Sequence, residues 1–207
     1  PSAKAVYGLT RLNLEDLTWA EIKEISDRGV AGLFFRIGDE KTVTINGQPH
    51  KVRIIGFNHD RDEYDRPIGI TFEFVNLISD ANGYSLASYW KNTNDLSTAS
   101  FDYLNSSIRK ALTGEGNGDL HWFEKDDKNY STTYTRSVLD MLPSELRNVL
   151  RNVKKKVNTK SGDNWTLTDF VDKLFLLSNK ELGYSYQNGE DLAPYKFYEN
   201  HVAQTDA

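Results

Sequence analysis

The densest group of residues able to do chemistry is Asn58-His59-Asp60-Arg61-Asp62-Glu63-Tyr64-Asp65. Asp60, Asp62 and Asp65 offer the hard oxygen ligands that Ca2+ takes, and His59 stands beside them as a candidate base. Their spacing is not that of an EF-hand loop, and the glycine such a loop turns on is missing. A solvated loop between strands, with Asn58 and Asp60 bonding to nearby backbone, is the favoured reading of the same residues.

Elsewhere the chemistry is thinner. His50, His59, His121 and His201 are scattered, with no H-E-x-x-H or i, i+4 pair, so no metal site is expected. Ser178 follows an apolar run and opens a turn, as an elbow nucleophile does. The glycines of G-x-S-x-G are absent, so Ser178 reads as a helix cap. Gly114, Gly116 and Gly118 have neither the preceding strand nor the following Lys-Ser/Thr of a phosphate loop. Arg147, Arg151, Lys154, Lys155, Lys156 and Lys160 read as the solvated face of a helix, not as a nucleic-acid surface, in a chain of net charge −5. With no Cys, disulfides, thiolate zinc sites and cysteine nucleophiles are all removed together. No catalytic residue, cofactor or metal is expected.

What remains is a set of rings and amides in polar stretches. Trp90 lies near Tyr84 and Tyr89, and Trp122 lies within His121-Trp122-Phe123. Loops on a rigid scaffold carry binding groups, so Trp90, Asn92, Asn94 and Trp122 form the candidate ligand-binding set. Tucking these rings back into the core is an equal alternative.

The elements that position these groups are read from patterning. Thr18-Trp19-Ala20-Glu21 is a capping box, with Leu17 and Ile22 as its staple and Gly29 as its C-terminal stop. Leu33–Ile37 reads as a strand. Thr42–Ile45 and Val52–Phe57 read as strands around Asn46-Gly47, a hairpin signal, with Pro49 at an edge or outside the pairing. Ile68, Ile70, Phe72 and Phe74 alternate as one face of a further strand. Phe101, Leu104, Ile108 and Leu112 recur at helical spacing. The stretch from about 113 to 136 reads as an exposed inserted loop. Leu142–Val157 reads as an amphipathic helix starting at Pro143, and Leu174–Leu177 as a short buried strand before a second capping box, Ser178 to Glu181. The last two are strong structural signatures that contain no chemistry.

At 207 residues the chain fits one domain, and 27% charged against 38% hydrophobic residues excludes both disorder and a membrane-spanning protein. Pro1 to Ala5 includes neither an initiator Met nor a signal-type apolar core and reads as a processed terminus.

Several stretches carry a family resemblance in order: Thr18-Trp19-Ala20-Glu21-Ile22, Ser26-Asp27-Arg28-Gly29, Ile37-Gly38-Asp39-Glu40-Lys41, Ile54-Ile55-Gly56-Phe57-Asn58-His59-Asp60, Tyr103-Leu104-Asn105, Leu142–Val157 and Asp172–Ser178. From about Leu17 to Tyr198 the chain resembles a domain family of unknown function found in Firmicutes surface proteins and phage or prophage tail-type proteins. That family in turn looks related to the C-type-lectin-like fold of formylglycine-generating enzymes and of diversity-generating variable proteins. The resemblance implies an α+β domain: a twisted antiparallel sheet with flanking amphipathic helices, displaying a ligand-binding surface. Phe101 stands where the family usually has Arg, and the segment at about 113–136 is an insertion. The Trp- and Gly-rich C-terminal portion of the family does not follow before Ala207, so either the sequence is a piece of a longer one or another chain completes the sheet. The copper chemistry of the formylglycine enzymes needs cysteines and is excluded by composition.

The expectation is therefore an N-terminal extension over 1–16 and a single lectin-like domain over 17–207. It would act as a non-catalytic binding or adhesion module for a cell-surface carbohydrate or protein receptor, on a phage tail or Gram-positive surface, extracellular or virion-borne. Nucleic acid and membrane insertion are not expected. The alternative is a structural tail or baseplate component that contacts sibling chains. A glycan hydrolase using Asp60 or Asp62 ranks last, since it needs two carboxylates roughly 5 to 9.5 Å apart in a cleft.

Overall fold

The computed structural model describes residues 10–79, 85–88, 103–114, 120–123, 130–134, 137–161, 164–184 and 193–199. Its best-punctuated element is α1, Trp19–Asp27. Thr18 Oγ1 accepts the Glu21 N–H at 3.2 Å, and Glu21 Oε2 accepts the Thr18 N–H at 2.8 Å, closing the expected box. Trp19 and Ile22 face the core, and Gly29, with φ of +68°, ends the helix where a side chain would be strained.

The hairpin read from Asn46-Gly47 is present. β1 (Glu40–Ile45) and β2 (Gln48–Gly56) run antiparallel, and both turn residues have positive φ, as a two-residue type I′ hairpin turn requires. Pro49 is paired, opposite Thr44. It is tolerated because β3 (Thr71–Phe74) joins β2 only from Val52 onward, which leaves the other side of Pro49 open. Ile68 and Ile70 are buried just before β3, and Phe72 meets the Trp19 ring edge-on.

Three readings are corrected. Leu33–Ile37 is not a strand: Ala31–Phe34 forms one helical turn, α2, closed by the Phe35 N–H on the Ala31 carbonyl at 2.9 Å. A short, mainly apolar run such as Leu33-Phe34-Phe35 fits buried helix and buried strand equally. Leu142–Val157 is not a helix either. Leu142, which precedes a proline, is extended, and separates α4 (Val138–Met141) from the single turn α5 (Ser144–Arg147). From Val153 the chain becomes β7 (Val153–Ser161), paired along its whole length with β8 (Asn164–Asp172). Backbone pairing with a Thr-, Val- and Phe-bearing partner overrides the local helical spacing. Leu174–Leu177 is no strand: β8 ends at Asp172, opposite the first residue of β7, and among the described residues no strand pairs beyond it. Leu176 is exposed rather than buried.

The expected helix around Leu104 and Leu112 is split. Tyr103–Asn105 is a 3-10 turn, and Ser106 caps α3 (Ser107–Thr113) by accepting the Arg109 N–H. Within the stretch read as an inserted loop lie β5 (Leu120–Phe123) and β6 (Tyr130–Tyr134), and β5 pairs with β6 on one side and with β4 (Ser85–Ser88) on the other. The fold is α+β, with described strands in three small antiparallel sheets, β1-β2-β3, β4-β5-β6 and β7-β8, in place of the one twisted sheet expected. One hydrophobic core joins α1, the first sheet, α3, α4 and α5 through Trp19, Ile22, Ile54, Ala111, Val138 and Leu146.

Candidate functional site

The polar cluster after β2 is divided between two tasks. Asp62 organises its own loop: its Oδ1 accepts the Tyr64 and Arg66 N–H groups at 2.9 Å each, and its Oδ2 accepts Arg66 Nε at 2.7 Å and an Arg151 nitrogen at 2.6 Å. Burial opposes its charge, yet these donors hold its carboxyl at about 2, below the usual carboxylate range. Arg151 also reaches Asp27 at 3.1 Å, tying this loop to the end of α1, and Lys154 pairs with Asp65 at 3.0 Å. Asp60, Asp62 and Asp65 thus face different partners and do not converge as a cation loop.

Asp60 turns inward. Its Oδ2 accepts Thr71 Oγ1 at 2.5 Å and the Tyr195 hydroxyl at 2.7 Å, and its Oδ1 lies 3.1 Å from Lys155 Nζ. The same ammonium contacts Glu181 Oε1 and lies 3.1 Å from the Tyr195 oxygen. Lys155 and Asp60 side chains are each 4% exposed and that of Glu181 is 1% exposed, so this is a buried ion-pair network. Burial first, then the neighbouring carboxylates of Asp60 and Glu181, push the Tyr195 hydroxyl well up, so it stays a hydrogen-bond donor.

Local structure explains each position. The Arg61–Lys154 bridge lays the loop against β7, so alternation along β7 turns Val153 and Lys155 inward and Lys154 outward. Glu181 belongs to the expected Ser178 box: its Oε2 accepts the Ser178 N–H at 2.9 Å, and Ser178 Oγ accepts its N–H at 3.3 Å. Ser178 thus caps a turn over 179–183, in place of the helix expected. Tyr195 arrives through its own N–H on the Glu181 carbonyl, and its ring packs on Gly56, where a Cβ would meet ring carbon at 2.9 Å.

His59, Asp60 and Glu181 place ligand atoms within 4.8 Å of one another, a set a metal could use. The Lys155 ammonium already bridges the two carboxylates, and the His59 ring stacks on Tyr195 at 4.0 Å between centroids. The donor set is thus matched by a built-in cation.

The reading of the basic run as solvated fails at Lys155. Lys155 and Tyr195 were not singled out by sequence. The signal that could have found the lysine is the period-two pattern Val153-x-Lys155-x-Val157, which a four-residue helical spacing imitates. Trp90, Asn92 and Asn94 lie outside the described residues. Trp122 sits on β5, opposite Leu86 and Thr132, rather than in a loop, and its side chain lies outside what is described.

A second feature is an apolar groove of about 270 Å³, bounded by α1, the β2–β3 face, α5 with the residues after it, and the segment following β8. Trp19, Phe72, Phe74, Val149, Leu150 and Leu174 are among its apolar lining, and Lys23, Asp27, Glu73, Arg151 and Lys173 are its charged residues. Its volume approaches the ~300 Å³ at which ligand pockets begin. Among the described residues no helix is long and apolar enough to cross a membrane.

Compared with known proteins, residues 77–205 match the domain of unknown function DUF6273, more than half of the chain. No curated protein and no solved structure matches.

Proposed function

The chain belongs to the DUF6273 family, and on that premise we propose that it is a non-catalytic binding module that takes an apolar segment of a protein receptor into the groove beside α1. The groove carries this reading. Its lining is mostly aliphatic and aromatic, with a minority of charged residues, a composition that suits a peptide segment anchored by apolar side chains. A sugar would need hydrogen-bonding groups deeper in the site, so of the two receptor classes expected from sequence the protein is favoured. The surface or tail-type setting and the lectin-like relationship come with the resemblance and belong to the same proposal.

The test is a peptide-display selection on the immobilised full chain, with a glycan array run in parallel. Peptides with regularly spaced apolar anchors that no longer bind Val149→Asp support the proposal. Glycan hits that survive Val149→Asp, with no peptide enriched, overturn it.

A second reading, a structural component contacting sibling chains, is favoured by the two-stranded β7–β8 ribbon, whose strand β8 has no second strand partner among the described residues. Concentration-dependent association in light scattering, abolished by a proline in β8, would mark that role.

A further inference from the structure

We propose that Lys155 and Asp60 become joined by an intramolecular isopeptide bond, with Glu181 as the proton carrier. The three groups a self-catalysed amide needs are assembled here in a buried cluster. The nucleophile is Lys155 Nζ, on a side chain 4% exposed and 3.1 Å from Asp60 Oδ1. The electrophile is the Asp60 carboxyl, whose two oxygens receive the Tyr195 hydroxyl at 2.9 and 2.7 Å and, on Oδ2, the Thr71 hydroxyl at 2.5 Å. The base is the Glu181 carboxylate, in contact with the same ammonium through Oε1 while its Oε2 is fixed by the Ser178 N–H.

These roles are not interchangeable. Two hydroxyl donors point at Asp60, where negative charge develops on oxygen as the carbonyl carbon becomes tetrahedral. Glu181 is anchored as a cap and touches the lysine, as a proton acceptor must.

The step balances without a further reactant. Lys155 passes a proton to Glu181, and the free amine attacks Asp60 Cγ, forming the Nζ–Cγ bond. A second proton leaves the nitrogen by the same carrier. One Asp60 oxygen departs with both protons as water, the C–O bond breaks, and Glu181 returns to a carboxylate. One ammonium and one carboxylate are consumed, so net charge is unchanged.

Condensation of a carboxylate with an amine is unfavourable for separated groups in water. Held in contact, such groups react with effective molarities of roughly 10⁵ to 10⁸ M. The surroundings also keep water scarce: the ammonium lies 4.5 Å from the Phe175 ring centroid and 5.2 Å from that of Tyr195. The bond would staple the loop after β2 to β7, positions 95 residues apart, in a chain with no Cys to form a disulfide.

The test is intact mass spectrometry of the purified, folded full chain under denaturing conditions, followed by peptide mapping. The expected mass is one water below that of the sequence, with the Asp60 peptide joined to the Lys155 peptide. Asp60→Asn should still cross-link, losing ammonia from the asparagine side chain. Glu181→Gln should leave the chain folded by circular dichroism yet unlinked. Parent protein that holds its full sequence mass after prolonged incubation in the folded state overturns the proposal. A map joining Lys155 to Glu181 overturns the assignment of Asp60 as acceptor.

Discussion

Lys155 Nζ lies 3.1 Å from Asp60 Oδ1, between residues 95 positions apart whose side chains are both buried. In this unlinked geometry the lysine is the counter-charge for two carboxylates, since Glu181 meets the same nitrogen. It joins the first sheet, the β7–β8 ribbon and the segment after β8 at one point.

Lys155→Met should therefore leave Asp60 and Glu181 side by side without a cation. We expect a loss of about 3–5 kcal/mol near neutral pH relative to the unlinked parent chain, as for other broken buried pairs. Urea unfolding of both chains at neutral pH checks it, and a loss of less than about 1 kcal/mol would contradict it.

Asp62 supplies an acid-sensitive contribution of its own. Its folded value near 2 lies below that of an unfolded aspartate. The stabilisation it gives is complete above about pH 4 and is lost as the pH drops toward about 2. Asp62→Asn should lower the melting temperature at neutral pH and flatten its fall across that window. Melting curves at a series of pH values read both effects.

At Gly69 the constraint is steric. A Cβ there would sit 2.0 Å from the Ser26 carbonyl oxygen, so the end of α1 rests on bare backbone. Gly69→Ala should cost about 3 kcal/mol, the upper range for overpacking. Gly47→Ala has nothing within 4 Å and only a positive φ to strain it, so a loss of about 1 kcal/mol is expected. Chemical denaturation of the two variants gives the comparison.

The Thr18 cap is worth a smaller amount. Thr18→Ala removes the acceptor of the Glu21 N–H, and about 1 kcal/mol of stability should go with it. Thr18→Ser should restore most of the loss in the same thermal melts.

What was legible in the residues is what short-range chemistry decides. The Thr18 box, the Asn46-Gly47 turn, the Gly29 stop and the Ser178 box each depend on neighbours within a few positions, and each is present. The misread elements are those decided by distant partners. Val153 to Val157 fits a helix and a strand alike, and only the nine-residue pairing with β8 selects the strand. Leu174–Leu177 looked like a strand until pairing ran out at Asp172.

The buried network was half visible for the same reason. Asp60 stood out inside a polar cluster, and Glu181 inside a cap. Lys155 was hidden among neighbouring lysines, because strand alternation sends one inward and its neighbours outward. Tyr195 carries no local signal; its place is set by Gly56 and by the Glu181 carbonyl.

The most direct measurement of the binding proposal uses the absence of cysteine. Val149→Cys places a single thiol in the groove, and Tyr64→Cys places one at a side chain 70% exposed elsewhere. Thiol modification rates are then followed with and without a peptide from the display selection. Slowing at position 149 with no change at position 64 is the predicted result. Equal rates at position 149 with the peptide bound would contradict the groove as the receptor site.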